Sequence, residues 1–290
     1  MSKPRIAFLG LGLMGSGMAN RLLLAGFPLA VFNRDPQKAL PFAAAGAKAA
    51  ASPREAAAGA EVIISMLADD NATRAVWLGE NGALAAAAPG IVCIESSTVT
   101  VGWIGELAAA AAARGCELLD APVTGSKTHA ASGELCFLVG GSAAALEKVR
   151  PVLAAMSRAI VHLGPTGGGA LLKLINNFLC GVQAASLAEA LALIERSGLD
   201  RGKALEILTN GAPGSPLIKT LSARMTGPDY TPNFPLRLMA KDLAYALQEG
   251  RRHSLDLTTV ATALEVFKTA IAAGHGDKDM SAVIEPLRKG

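Results

Sequence analysis

Continuous apolar runs, rather than alternating ones, recur through the first half of the chain. Residues 6–9, 29–32, 62–66, 91–94 and 117–120 form short blocks rich in Ile, Val, Leu and Ala, and helix-like stretches separate them. Runs of this kind suit strands of a parallel sheet covered on both faces. Helices are predicted over 15–25, from Pro36, over 102–114 and over 143–156, with a further strand over 135–139. Strands that alternate with helices build right-handed βαβ units. The pattern predicts an α/β fold with a doubly wound, mainly parallel sheet.

After residues 161–163 the pattern changes. Helix follows helix, broken only at Gly198, at Asn210-Gly211 and at the Pro-Gly-Ser-Pro stretch 213–216. The chain is therefore expected to divide into a sheet domain, 1–163, and an all-helical domain, 164–290. The second opens with a long helix of about 169–196 at the junction. No internal repeat interrupts this plan.

Composition changes the picture little. The 290 residues can bury ample cores, and 51% of them are apolar but only 4% aromatic, which favours helices packed through small side chains. A net charge of +3 comes from scattered Lys and Arg, so no nucleic-acid partner is expected. Cys93, Cys116, Cys136 and Cys180 lack metal-ligand spacing and read as buried small residues of a reducing compartment. The apolar tract 170–194 is interrupted by Lys173, Asn176, Asn177, Gln183 and Glu189, which argues for a core helix and against a membrane span. The first apolar residues belong to a strand rather than to a signal core, so a cytoplasmic protein is expected.

Chemistry enters with Gly10-Leu11-Gly12-Leu13-Met14-Gly15, which follows a strand and opens a helix. The first glycine permits a tight turn, the second lets backbone approach a pyrophosphate, and the third packs helix against strand. Unpaired N–H groups at the helix start favour phosphate. This context predicts a Rossmann-type dinucleotide-binding domain. At the end of the second strand, Asn33 can bond a ribose without repelling a 2′-phosphate, Arg34 can pair with that phosphate, and Lys38 adds charge. Asp35 either caps the helix that Pro36 begins or competes for the ribose. The balance favours NADP(H) over NAD(H).

Two further stretches carry candidate reactive groups. Lys173 and Asn177 lie one helical turn apart in an otherwise apolar segment. An ammonium beside an amide suits polarising a carbonyl, although a snorkelling lysine with a backbone-bonding asparagine fits the same spacing. Asp120 to Lys127 follow a strand at the edge where α/β sheets bind ligands, and Thr124, Gly125 and Ser126 form either a carboxylate cradle or a plain turn.

Together these stretches resemble one family, the β-hydroxyacid dehydrogenases, over essentially the whole chain. "FLGLGLMGSGMANRL" (8–22) looks like its cofactor motif and "DAPVTGSKTHAASGEL" (120–135) resembles its substrate loop. "GPTGGGALLKLINN" (164–177) is similar to its catalytic pattern, and "FPLRLMAKDLAYAL" (234–247) to its C-terminal segment. The resemblance implies Lys173 as general acid in carbonyl reduction and Asn177 as its positioning companion. It implies Met66, Leu67, Ser97, Thr98 and Lys241 at the cofactor, and Thr124, Gly125, Ser126, Phe234 and Asp242 at the substrate. It further implies small β-hydroxy acids or their semialdehydes (glyoxylate, succinic, tartronate or 3-hydroxyisobutyrate type), no metal, and a homodimer or homotetramer. Thr124 stands where many members have serine, Ser126 replaces a common glycine, and His129 replaces glycine or a small polar residue. His129, His162, His253 and His275 read as structural or surface residues. An imine reductase and a non-catalytic NADP-binding partner module are the alternatives, and Lys173 argues against both.

Overall fold

The computed structural model describes residues 3–227 and 229–288, in two compact units, Met1–Lys173 and Leu174–Gly290. The division falls inside the long helix, beyond the loop at 163 where the pattern of the chain changes.

The first unit runs β1 (Ile6–Leu9), α1 (Gly15–Leu24), β2 (Leu29–Phe32), α2 (Leu40–Ala44), β3 (Lys48–Ala49), α3 (Pro53–Ala57), β4 (Val62–Ser65), α4 (Asp70–Leu78), β5 (Val92–Glu95), α5 (Val101–Ala112) and β6 (Glu117–Asp120). The strands stand in the order β3-β2-β1-β4-β5-β6, and every pair is parallel. Successive residues feed opposite faces of the sheet. Ile6, Phe8, Val31, Ile64, Ile94 and Leu119 share one core with Met18 and Leu22 of α1. Ala7, Leu9, Ile63, Cys93 and Leu118 share the other with Trp77 of α4 and Trp103 of α5. Two covered faces are why the strands read as unbroken apolar runs. Ser52, Asp69 and Thr100 cap α3, α4 and α5 with side-chain oxygens.

The chain continues through β7 (Val123–Thr124), α6 (Lys127–Ser132), β8 (Leu135–Val139), α7 (Ala143–Ala154) and β9 (Ser157–His162). These strands form a smaller sheet, β7-β8-β9, whose first pair is antiparallel and second parallel. Reciprocal backbone bonds between Asp120 and Gly140 (3.1 and 2.8 Å) tie it to the end of β6. β3 and β7 are only two residues long and β9 is largely exposed, so none of the three announces itself as an apolar run.

α8 (Gly168–Ser197) crosses from the first unit into the second, which continues with α9 (Arg201–Asn210), α10 (Pro216–Thr226), α11 (Leu236–Arg252), α12 (Thr258–Ala270) and α13 (Glu285–Arg288). Among the described residues this unit is helical apart from an isolated bridge, Pro235 to Asp279. Met239, Leu243 and Ala246 of α11 and Val260, Leu264 and Phe267 of α12 are buried. By length and composition α8 is able to cross a membrane, but half of its most apolar window is buried inside the protein.

α6 rests directly on α1. A Cβ at Gly17 of α1 would lie 2.9 Å from the backbone of Ala130 and Ala131, so only glycine permits this approach. Gly17→Ala is expected to lower the unfolding free energy by about 1–3 kcal/mol through overpacking. Urea denaturation measures it, and an unchanged midpoint would mean that the two helices separate freely.

Candidate active site

The ends of β1, β2, β4 and β5 open on one edge of the first unit's sheet, where the strand order reverses between β1 and β4. The glycine turn sits there. Gly10 has φ of +107°, and a Cβ on it would lie 2.3 Å from the Met66 carbonyl oxygen. A Cβ on Gly15 would strike the Gly10 carbonyl. Around Gly12 nothing lies within 4 Å of that position, so the space above this glycine is open. A pyrophosphate fits that opening and the start of α1.

At the end of β2, Asn33 Oδ1 accepts the Leu11 N–H (2.9 Å) and its Nδ2 donates to the Asp35 carbonyl (2.9 Å). Asn33 thus braces the glycine turn from the neighbouring strand, a role that spacing does not reveal. Asp35 accepts the Gln37 N–H at 3.1 Å, which makes it the cap of the following turn. Arg34 and Lys38 are exposed beside it.

A buried carboxyl, missed in the sequence because it ends an apolar strand, organises the loops after β4 and β5. Glu95 is fully buried and accepts Trp77 Nε1–H and the Ser97 N–H, each at 2.9 Å. Ser97 Oγ in turn accepts the Leu67 N–H at 2.7 Å. Trp77, Glu95, Ser97 and Leu67 therefore belong to one bonded assembly, with Met66 and Thr98 next to it in the chain. Burial pushes the Glu95 carboxyl above the usual carboxylate range, against the bonds donated by Ser97, Ser65 and Trp77.

Beyond β6 lies the 124–126 loop. Asp120 Oδ1 accepts the Gly167 N–H and Oδ2 the Ala170 N–H, both at 2.8 Å. This caps α8 on the strand end from which the loop departs. A Cβ on Gly169 would lie 2.2 Å from the Leu138 carbonyl oxygen, and one on Gly140 would lie 2.5 Å from Asp120 Oδ1. Both glycines are needed for α8 to start so close. Half-buried Lys173 follows one turn from the capped start. Burial raises the Asp120 pKa, opposed by the backbone N–H groups it accepts. His129 is part of this loop rather than a bystander: its Nδ1 lies 3.1 Å from the Ser126 nitrogen and 2.8 Å from Ser126 Oγ.

In the second unit, Gly181 of α8 meets Leu243 and Met239 of α11, where a Cβ would lie 2.8 Å from Leu243 Cδ2. That close packing brings Asn177 Nδ2 to within 2.6 Å of Asp242 Oδ2. Asp242 Oδ1 lies 2.8 Å from Lys241 Nζ, which also stands 4.7 Å from the Tyr245 ring centroid. Asn177, Lys241 and Asp242 are one cluster, joined by a hydrogen bond at Asp242 Oδ2 and an ion pair at Oδ1. Half-buried Phe234 precedes α11, its N–H held by Asp279 Oδ2 at 3.2 Å.

Residues 5–164 match the family model described as the NAD-binding domain of 6-phosphogluconate dehydrogenase. Residues 167–287 match the one described as NAD-binding of NADP-dependent 3-hydroxyisobutyrate dehydrogenase. The chain belongs to the β-hydroxyacid dehydrogenase family. It is an NAD(P)-dependent oxidoreductase. It is 40% identical to the NAD-dependent L-serine dehydrogenase of Pseudomonas aeruginosa, over 96% of each chain. Identity to glyoxylate/succinic semialdehyde reductase 2 of Arabidopsis thaliana is 36%, over 98% of this chain and 79% of that one. A solved structure of Mycobacterium tuberculosis 3-hydroxyisobutyrate dehydrogenase with L-serine matches 99% of both chains at 35% identity and a TM-score of 0.89.

In this β-hydroxyacid dehydrogenase, the raised Glu95 pKa sets a sign. The folded chain holds a proton there that the unfolded chain releases, so stability falls as pH rises between the two pKa values. As pH rises above the usual carboxylate range, wild-type unfolding free energy is expected to decline relative to Glu95→Gln, measured by urea denaturation. Parallel pH profiles would mean that the carboxyl is not held protonated by burial.

Proposed function

We propose that this chain is an NADP(H)-dependent reductase and dehydrogenase of small β-hydroxy acids and their semialdehydes, with Lys173 as general acid and base. One observation carries the reading. Asp120 caps the helix that bears Lys173 and also terminates the strand that leads into the Thr124–Ser126 loop, so proton donor and cradle hang from one carboxylate.

A bound nicotinamide supplies or accepts the hydride at the carbon bearing the oxygen. In reduction, Lys173 gives its proton to the carbonyl oxygen as negative charge develops there, and in oxidation it takes that proton back. Asn177, oriented by Asp242, is a second donor for the substrate. Thr124, Ser126 and the backbone at Gly125 receive the substrate carboxylate. Gly10, Leu11, Gly12, Leu13, Met14 and Gly15 hold the pyrophosphate, and Met66, Leu67, Ser97 and Thr98 flank the nicotinamide. We read Lys241 as a cofactor contact and Phe234 and Asp242 as substrate contacts.

Arg34 supports NADP(H) over NAD(H), since its exposed guanidinium stands free to pair with a 2′-phosphate next to a capped, already engaged Asp35. The serine relative carries NAD in its name, so the preference rests on Arg34 and Lys38 rather than on kinship. Exposed Ile175, Leu179 and Leu193 along α8, with Leu199 and Ile207 nearby in sequence, support a homodimer or homotetramer.

Lys173→Ala is expected to reduce kcat by roughly 10²–10⁴-fold with NADPH affinity within a few-fold of wild type. Steady-state rates on glyoxylate, succinic semialdehyde, tartronate semialdehyde and L-serine test it, and retained turnover removes lysine from the mechanism. Arg34→Ala is expected to raise KM for NADPH about tenfold while leaving KM for NADH nearly unchanged. Equal effects on both cofactors would rule out a 2′-phosphate contact.

A further inference from the structure

The stretch that carries Phe234 has no regular structure of its own. Residues 229–234 form neither helix nor strand, and prolines stand at 232 and 235. One buried carboxylate holds it. Asp279 is 2% exposed, and its two oxygens face different segments. Oδ1 accepts the Ser281 N–H at 3.2 Å and the Ser281 hydroxyl at 2.8 Å, which caps the short turn Met280–Ile284. The same oxygen pairs with Arg224 Nε of α10 at 3.1 Å. Oδ2 accepts the Asn233 N–H at 2.9 Å and the Phe234 N–H at 3.2 Å.

Backbone bonds lace the two segments together. The Asp279 N–H donates to the Tyr230 carbonyl (2.9 Å), the Met280 N–H to the Phe234 carbonyl (2.9 Å) and the Leu236 N–H to the Lys278 carbonyl (2.8 Å). Arg224 Nη2 donates to the Thr231 carbonyl at 2.5 Å. Phe234 is therefore held at both its N–H and its carbonyl, and a fixed backbone limits the rotamers open to its ring. Capping the turn needs one oxygen, and asparagine caps as well as aspartate. What a second oxygen adds at position 279 is the hold on Asn233 and Phe234.

We propose that Asp279 is a positioning residue for substrate binding, a role that rests on the reading of Phe234 as a substrate contact. Through Oδ2 it sets the backbone of Phe234, and with it the direction of the half-buried ring. Asp279 acts through that ring and not on the reacting atoms, so its effect falls on affinity for the acid or semialdehyde rather than on the chemical step.

Asp279→Asn separates the two oxygens. The amide keeps one acceptor, and a guanidinium and two Ser281 donors draw it to their side. Its NH2 group is then left against the Asn233 and Phe234 N–H groups, none of which accepts. The cap survives and the hold on Phe234 is lost. Steady-state kinetics of the full-length enzyme on glyoxylate, succinic semialdehyde, tartronate semialdehyde and L-serine test this. Asp279→Asn is expected to raise substrate KM about tenfold, with kcat and the KM for NADPH within about twofold of wild type. Ser281→Ala removes a bond on the Oδ1 side alone, and is expected to lower the urea midpoint with substrate KM within about twofold of wild type. Arg224→Lys keeps the charge but loses the fork that spans Asp279 and Thr231. It is expected to raise substrate KM several-fold by the same route, and it carries the test where Asp279→Asn does not fold.

Phe234→Ala is expected to raise substrate KM about tenfold, and adding Asp279→Asn to it to raise KM no further, because both act through one ring. Substrate KM unchanged in Asp279→Asn and Arg224→Lys, or a KM effect of Asp279→Asn that persists in full without the Phe234 ring, overturns the role of Asp279. With Lys173-dependent turnover intact, either result leaves the reductase reading standing. An unchanged KM in Phe234→Ala removes the substrate contact and the role of Asp279 with it. Absence of Lys173-dependent turnover on every compound of the panel overturns both.

Discussion

A single carboxylate, Asp120, is the anchor of the chemistry in the first unit. It closes β6, bonds the glycine turn at Gly167, and accepts the Ala170 N–H at the start of α8. A buried acid without donors would be costly, and its place at the end of a helix supplies them. The demands spread outward from it. Gly140 and Gly169 have no side chain because their neighbours fill that volume, and the small sheet is bonded to β6 through Asp120 itself. A longer residue at either glycine would move the helix that carries Lys173, not merely the turn.

Glu95 does comparable work on the cofactor side. It ends β5, beside the edge strand β6, and ties Trp77 to Ser97, and Ser97 to Leu67. Two buried acids at neighbouring strand ends, in register across β5 and β6, thus fix the loops that follow β4, β5 and β6. In both, burial raises the pKa and the donated bonds oppose it. Their stabilising contribution comes from geometry, since each fixes backbone that has no regular structure of its own.

Much of this was legible in the amino-acid order. The five apolar runs are strands because each is covered on two faces, and the Gly10–Gly15 turn announces itself through three glycines whose spacing follows from sterics. What escaped was of two kinds. β3, β7 and β9 are short or exposed, and without a buried periodicity they leave no pattern. Contacts between distant residues leave none either: Asn177 and Asp242 meet because Gly181 lets α11 come close, which no local spacing encodes. Asn33 was legible as a polar residue at the right strand end, but its hold on Leu11 was not. Glu95 was visible and undervalued, hidden at the end of an apolar run, whereas His129 reads as a structural or surface residue and does brace the start of α6.

The seat of α6 on α1 also bears on how such a loop diversifies. Ala130 and Gly17 are locked together by contact with no slack, whereas positions 126 to 129 form the cap and first turn of the same short helix and none of them is fully buried. Side chains there can be exchanged without disturbing the nucleotide-binding helix beneath them. Selection for a new substrate can therefore act on four consecutive residues while the mount that aligns them with the cofactor stays constant.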